Sequence, residues 1–194
     1  MSHPFIVNLH GTVQNQTCIF FVLDFAIGGD LFDLIVSEGR LTKDVAMFYS
    51  GQIILALEYL HQKGVLFRDL KPENILIHED GFVKLTDFTF AKKTNMKKRS
   101  FTMCGTPEYM APEILLNFGY KGSVDYWSLG IILVQMLAGF SPFYDEDPQK
   151  IMSNIRSYNI KVPKNLDPAS MDLICELLKF DGTERLGAFE KGGA

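Results

Sequence analysis

The sequence predicts an α+β fold, with short strands near the N-terminus and a mainly helical remainder. Three observations carry this. Pro4–Leu9 and Cys18–Phe25 are apolar runs rich in β-branched and aromatic residues, joined by a polar turn, the pattern of two short strands. Later stretches repeat apolar residues at helical spacing behind helix-start signals. Between them lies Leu66-Phe67-Arg68-Asp69-Leu70-Lys71-Pro72-Glu73-Asn74, where an Asp, a Lys and an Asn crowd against a proline that cannot continue a helix.

A chain of 194 residues can bury a substantial core as one domain. Its 47% apolar and 22% charged residues are those of a globular protein. A net charge of −4 gives no global pull toward nucleic acid or anionic membrane, so no nucleic-acid partner is expected. The longest apolar run, Leu129–Phe140, is short of a membrane span and contains Gln135. No N-terminal segment has the basic-then-apolar pattern of a signal peptide. Cys18, Cys104 and Cys175 are odd in number, far apart and form no C-x-x-C, which points to a reduced, cytoplasmic setting without structural disulfide or zinc.

Taken in order, the second N-terminal run is apolar on both faces and expects cover on both sides. Two strands alone are marginal in water, which suggests that something upstream is missing. Gly28-Gly29 forms a flexible joint before Asp30. Thr42 suits an N-cap, with Val45, Phe48, Ile53, Leu57 and Leu60 at helical spacing behind it and Lys63-Gly64 closing the helix. His61, at that helix's end, reads as a surface or capping histidine. Glu79-Asp80-Gly81 turns into a strand, Phe82–Leu85. Ser123 to Gly139 reads as a Ser-capped helix, apolar nearly all round and therefore buried, with Asp125 requiring a partner inside it. Trp127 reads as packing. Pro148 starts a helix through Ile151 and Ile155. Asp167-Pro168 caps another, whose buried face is Met171, Ile174, Leu177 and Leu178.

The chemistry concentrates in the stretch from Arg68 to Asn74 and in Thr86-Asp87-Phe88, thirteen residues beyond Asn74. An Asp and an Asn on adjoining loops offer the hard oxygen ligands that Mg²⁺ takes, with room left for phosphate oxygens. A second Asp can accept the proton of an attacking hydroxyl, and a Lys can offset charge on a transferred phosphoryl group.

The first stretch resembles the catalytic loop of eukaryotic protein kinases, H-R-D-L-K-x-x-N, with Phe67 in the His position. Asp87-Phe88-Thr89 resembles their D-F-G. Met110-Ala111-Pro112-Glu113 contains an A-P-E, and Asp125-Tyr126-Trp127-Ser128-Leu129-Gly130 a D-x-W-S-L-G, all in the family's order. The aromatic at 67 is similar to the AGC group that includes the cyclic-nucleotide-dependent kinases. The resemblance runs from His3 to about Gly193. It implies a protein-kinase-like fold in which residues 1–27 are a remnant of the small lobe and hinge, and residues 28–194 are the large lobe with its C-terminal end incomplete.

The resemblance also implies roles. Asp69 would orient and deprotonate the acceptor hydroxyl, and Lys71 would steady the phosphoryl charge. Asn74 and Asp87 would hold Mg²⁺. The ATP site would use backbone near Asp24 and Ala26, together with Asp30, Glu73, Leu76 as the adenine floor, and Thr86. Thr102 would be the activation-loop phosphosite, its phosphate held by Arg68. Gly105, Thr106 and Pro107 would shape the substrate groove, and Lys71-Pro72-Glu73 favours Ser or Thr acceptors. Glu113 would pair with Arg185, and Asp125 would hold the catalytic-loop backbone. The implied partners are ATP, a protein substrate and a regulatory domain or subunit.

Three departures qualify these expectations. No G-x-G-x-x-G, strand Lys or partner helix Glu is present, so the chain reads either as a truncated kinase with little activity alone, Met1 being an internal Met, or as a pseudokinase that scaffolds partners through its groove and the basic run Lys92–Arg99. Thr89 replaces the usual glycine, which changes what the backbone tolerates beside Asp87. Gln135 stands where relatives with basic preference carry Glu, so a weaker taste for Arg is expected.

Overall fold

In the computed structural model, residues 2–95 and 98–188 are described. Met96 and Lys97 of the basic run, Met1, and the last six residues of the expected large lobe lie outside them. Strand β1, Leu9–Gln14, pairs antiparallel with β2, Ile19–Leu23. The turn between them is built by Asn15, whose side-chain oxygen accepts from the backbone N–H groups of Thr17 and Cys18. The first strand is therefore displaced from Pro4–Leu9. Phe5 to Val7 run instead beside Leu85, with Leu85 N–H donating to Phe5 O at 2.9 Å and Val7 N–H donating to Leu85 O at 3.0 Å. Ile6 is buried there. Burial against a core strand outweighs local pairing with the next apolar run. The cover expected on both faces of the second strand is also absent among the described residues: every side chain of β2 is exposed.

The remainder is helical. Helix α1, Leu31–Glu38, is capped by Asp30, whose carboxylate accepts from Asp33 N–H. Helix α2, Lys43–Gln62, is capped by Thr42 and closed at Lys63, with Gly64 following in a left-handed conformation. Ile53, Leu57 and Leu60 are fully buried on it, whereas Phe48 is exposed. Strand β3, Val65–Leu66, leads into the catalytic-loop stretch and a 3₁₀ turn, Pro72–Asn74. A hairpin of β4, Ile75–Ile77, and β5, Val83–Leu85, follows, and β6, Lys92–Lys93, returns to pair with β3.

Helix α3, Pro112–Leu115, precedes α4, Ser123–Ala138, the core of the molecule, in which every residue from Ser123 to Leu137 is buried. Ser123 is its first helical residue rather than its cap. Gly122 holds the cap position in a helical conformation that needs no side-chain acceptor. Helix α5, Pro148–Arg156, is capped by Asp147, and α6, Pro168–Leu177, by Asp167. Helices α2 and α6 both pack on α4. Trp127 is fully buried, stacked on Phe143 at 5.6 Å between ring centroids.

Candidate active site

The site is assembled from the core outward. Asp125, fully buried on α4, points its carboxylate at the segment after β3. Its oxygens accept from the backbone N–H groups of Phe67 at 3.1 Å and Arg68 at 2.8 Å. His61 Nε2 lies 2.7 Å from the same carboxylate, so this half-buried histidine is a partner of Asp125 rather than a surface or capping residue. Three groups thus satisfy one buried acid, and in return the acid fixes two consecutive peptide units. Arg68 adopts φ 71°, a left-handed conformation uncommon for a non-glycine residue. The two donated hydrogen bonds hold it there and turn Asp69 inward.

Asp69 is 4% exposed. Its Oδ1 accepts from Thr106 N–H at 2.9 Å and Thr106 Oγ1 at 2.8 Å. Its Oδ2 accepts from Asn74 Nδ2 at 3.2 Å, and Lys71 Nζ stands 3.6 Å away. Lys71 Nζ also donates to Thr106 Oγ1 at 3.2 Å. Thr106 therefore joins the acid and the lysine from the opposite loop. The close approach depends on Gly105: at φ 103°, an added Cβ would sit 2.5 Å from Arg68 O. Pro107 follows on the exposed rim.

The β4–β5 ladder brings in the second acidic position. Ile75 pairs with Leu85, and Thr86 N–H donates to Asn74 O at 3.0 Å, so Asp87 lies one residue past a bond to Asn74. Asn74 uses its amide N–H₂ on Asp69, on the backbone carbonyl at 2.9 Å as well as the carboxylate, which leaves its side-chain oxygen outside these two bonds. No group of three or more His, Cys, Asp or Glu among the described residues could hold a metal ion by itself. An Asn and an Asp oxygen with further places to be filled fit Mg²⁺ that arrives with phosphate oxygens.

The Gly28–Asp30 stretch runs alongside β4. Gly28 N–H donates to Ile77 O and Ile77 N–H to Gly29 O, both at 2.9 Å, and Asp30 bridges to Leu76. Ala26 and Leu76 are half-buried along this edge. The Asp24 side chain does not face an open cleft: it accepts from Lys84 Nζ at 2.7 Å and from Asn8, and touches His10 at 2.7 Å. The Lys84 ammonium above all, then the Asn8 N–H, holds its carboxyl well below the usual range.

On the other side, Thr102 is exposed and Arg68 does not touch it directly. Tyr120 lies between them: Arg68 Nη1 donates to Tyr120 Oη at 3.0 Å, and Tyr120 donates to Thr102 O at 2.6 Å. Arg68 Nε donates to Phe90 O at 2.7 Å. A cavity of about 510 Å³ opens beside the catalytic loop, lined by Glu73, Glu108, Tyr109, Gln135, Phe140 and Tyr144 among others. Gln135 accepts from Tyr109 Oη at 2.9 Å. Burial, reinforced by the Glu73 charge, raises the pKa of Glu108. Beneath this face, Arg185 is fully buried and forks onto Glu113 at 2.8 and 3.1 Å.

Sequence reasoning missed His61 and Tyr120. Both act across the fold on residues remote in the chain, and neither carries a local signal.

The protein kinase domain family matches residues 1–191. The chain is 45% identical over 192 residues to the human "cAMP-dependent protein kinase catalytic subunit PRKX", covering 99% of this chain and 53% of that protein. It is 44% identical to "cAMP-dependent protein kinase type 3" of Saccharomyces cerevisiae, over 99% of this chain and 48% of the relative. With "cAMP-dependent protein kinase catalytic subunit 3" of Drosophila melanogaster it shares 44% identity over 98% of this chain and 32% of the relative. The chain thus spans about half the length, or less, of these curated relatives. No helix among the described residues is long and apolar enough to cross a membrane. A kinase-specific order of motifs, a match across nearly the whole sequence and a catalytic loop hung from a buried helix agree: the chain belongs to the protein kinase domain family.

Proposed function

We propose that this chain carries the large-lobe half of an ATP-dependent protein serine/threonine kinase of the cyclic-nucleotide-dependent type. The observation that carries the reading is the convergence of Asp69, Lys71, Asn74 and Thr106 in one hydrogen-bonded cluster, with Asp87 next to Asn74 across the β4–β5 ladder. Asp69 Oδ2 accepts the proton of a Ser or Thr hydroxyl. Its Oδ1 is fixed by Thr106, so the carboxylate cannot rotate away. Lys71, held by Thr106 Oγ1, faces the transferred phosphoryl group. Mg²⁺ bound with ATP supplies charge neutralisation at the phosphates, and the Asn74 side-chain oxygen and the Asp87 carboxylate are the groups that would hold it. ATP would lie along the hinge edge from Asp24 through Ala26 to Asp30, with Leu76 beneath adenine and Thr86 and Glu73 at its margins.

The acceptor protein lies over Gly105, Thr106 and Pro107. Glu73 and Glu108 in the adjoining cavity give it a preference for a basic side chain, weakened by the neutral Gln135. Thr102 is the phosphosite of the activation loop, with Arg68 its receiving cation. Control by a regulatory domain or subunit belongs to the same reading, as does residence in the cytoplasm.

Transfer by the 194-residue chain alone should be feeble. The sequence holds no G-x-G-x-x-G to cover the phosphates, and the loss of a single preorganised electrostatic group already costs ~2.7–4 kcal/mol of barrier. The test joins the small lobe of a cAMP-dependent kinase to this chain and measures transfer from ATP to an Arg-containing Ser peptide. Turnover that disappears in Asp69→Asn supports the reading. Folded chimera without turnover would favour a scaffold that binds partners through the groove and the Lys92–Arg99 run.

A further inference from the structure

Thr89 occupies a position at which the family pattern has glycine, and its hydroxyl is used. Thr89 Oγ1 donates to Asp87 Oδ1 at 2.6 Å, and Thr89 N–H donates to the same oxygen at 3.2 Å. Glycine could supply the second bond but not the first. A hydroxyl-to-carboxylate bond this short lies in the charge-assisted range. Asp87 itself adopts φ 57°. Its neighbours are anchored on both sides: Thr86 N–H on Asn74 O, and Phe88 edge-on to the fully buried Phe67, 5.1 Å between ring centroids. The backbone at Asp87 is therefore clamped, and the freedom that remains is rotation of its exposed side chain. Thr89 removes that freedom. It occupies Oδ1 and leaves Oδ2 as the oxygen turned to other uses.

We propose that Thr89 is a positioning residue, whose hydroxyl fixes the Asp87 carboxylate so that one oxygen is presented to a divalent cation bound with nucleotide phosphate. The proposal rests on the reading of Asp87 as a metal ligand given above. Partners of this kind, one shell removed from the ion, typically change metal affinity by about 10–100-fold when removed. The effect here falls at the lower end, because both side chains are exposed and water can replace part of the bond.

Two measurements on the 194-residue chain test it. The first uses the metal-free chain: three-bond NMR couplings should report a single χ1 rotamer for Asp87, retained in Thr89→Ser and averaged in Thr89→Val. The second follows Mn²⁺ binding in the presence of ADP by the electron paramagnetic resonance signal of free Mn²⁺. Thr89→Val and Thr89→Gly should weaken binding by about tenfold, Thr89→Ser should stay within about twofold of the parent by the same principle, and Asp87→Asn should abolish it. Binding lost in Asp87→Asn but unchanged or tighter in Thr89→Val overturns the role of Thr89 and leaves the metal reading standing. Binding unaffected by Asp87→Asn, or absent from the parent chain up to millimolar Mn²⁺, removes the metal reading and this proposal with it. An Asp87 rotamer already averaged in the parent chain also overturns it.

Discussion

The catalytic loop and the N-terminal hairpin are both stretches of apolar-rich sequence, yet the fold treats them oppositely. Phe67 and Leu70 are fully buried, and the peptide units around them hang on Asp125 of α4. In β2, Ile19 to Leu23 are 46–63% exposed, and the hairpin is tied down by polar groups at its base, where Asp24 gathers Lys84, His10 and Asn8. Hydrophobic composition does not explain the difference. A ladder of two strands satisfies its own backbone but offers no second layer, whereas the loop is irregular and is held because a buried helix supplies acceptors for it. Order at the candidate active site is borrowed from α4, and a region lacking such a neighbour stays open to solvent whatever its residues prefer.

The largest expected effect breaks the favoured side of this comparison. Asp125→Ala strands two backbone donors, leaves His61 without its acid, and should cost about 3–5 kcal/mol in denaturant unfolding. Loss of under 1 kcal/mol would mean that the loop does not depend on α4 for its geometry. Arg185→Met comes next. The guanidinium is buried, bound to both Glu113 oxygens and to the carbonyls of Ser123 and Lys179, and lies 5.1 Å from the Trp127 ring. Methionine fills part of the volume but orphans the carboxylate, and a loss of about 3 kcal/mol is expected by the same measurement.

Much of this was readable from the chain because it is local. Thr42 and Asp167 cap their helices through backbone N–H groups three residues on, and a cap declares itself within four residues. Asn74 and Asp87 could be paired because one hairpin separates them. Apart from the cap expected at Ser123, one residue past its observed place, the failures are tertiary. The first strand moved because Leu85, nearly 80 residues away, competes for Phe5 to Val7. His61 finds its acid 64 residues on, and Tyr120 bridges Arg68 to Thr102 by a hydroxyl whose partners no spacing announces. Thr89 was legible as an unusual residue, but its bond to Asp87 depends on a backbone turn visible only in three dimensions.

A smaller effect sharpens the comparison at the hairpin's base. Asp24 has its carboxyl held below the ordinary value, first by Lys84. A depressed acid stabilises the fold fully above its unfolded value of about 3.9, and that contribution is lost as pH falls toward the folded value. Asp24→Asn should therefore destabilise at pH 7 by about 1 kcal/mol or less, since the group is near the surface. The gap between parent and variant should close as pH drops below about 4. A gap that widens on acidification would show that the cluster is held by something other than the ionised carboxylate.

The smallest expected effect lies at the hairpin's face. Phe21, 63% exposed, would ordinarily be the kind of aromatic residue whose loss costs several kcal/mol. Among the described residues it has no second layer to leave. Phe21→Asp should change the unfolding free energy by no more than about 0.5 kcal/mol, the range for surface positions. Amide exchange should still be fast through β1 and β2 and slow through α4. The substitution should also raise the concentration at which the chain stays monodisperse, because it places a charge in a contiguous apolar patch on a strand. A cost of 2 kcal/mol or more, on the scale of burying such a side chain, would mean that this face is covered in the protein as it exists in solution. The contrast between the two regions would then be one of which neighbour each has, rather than of having one or none.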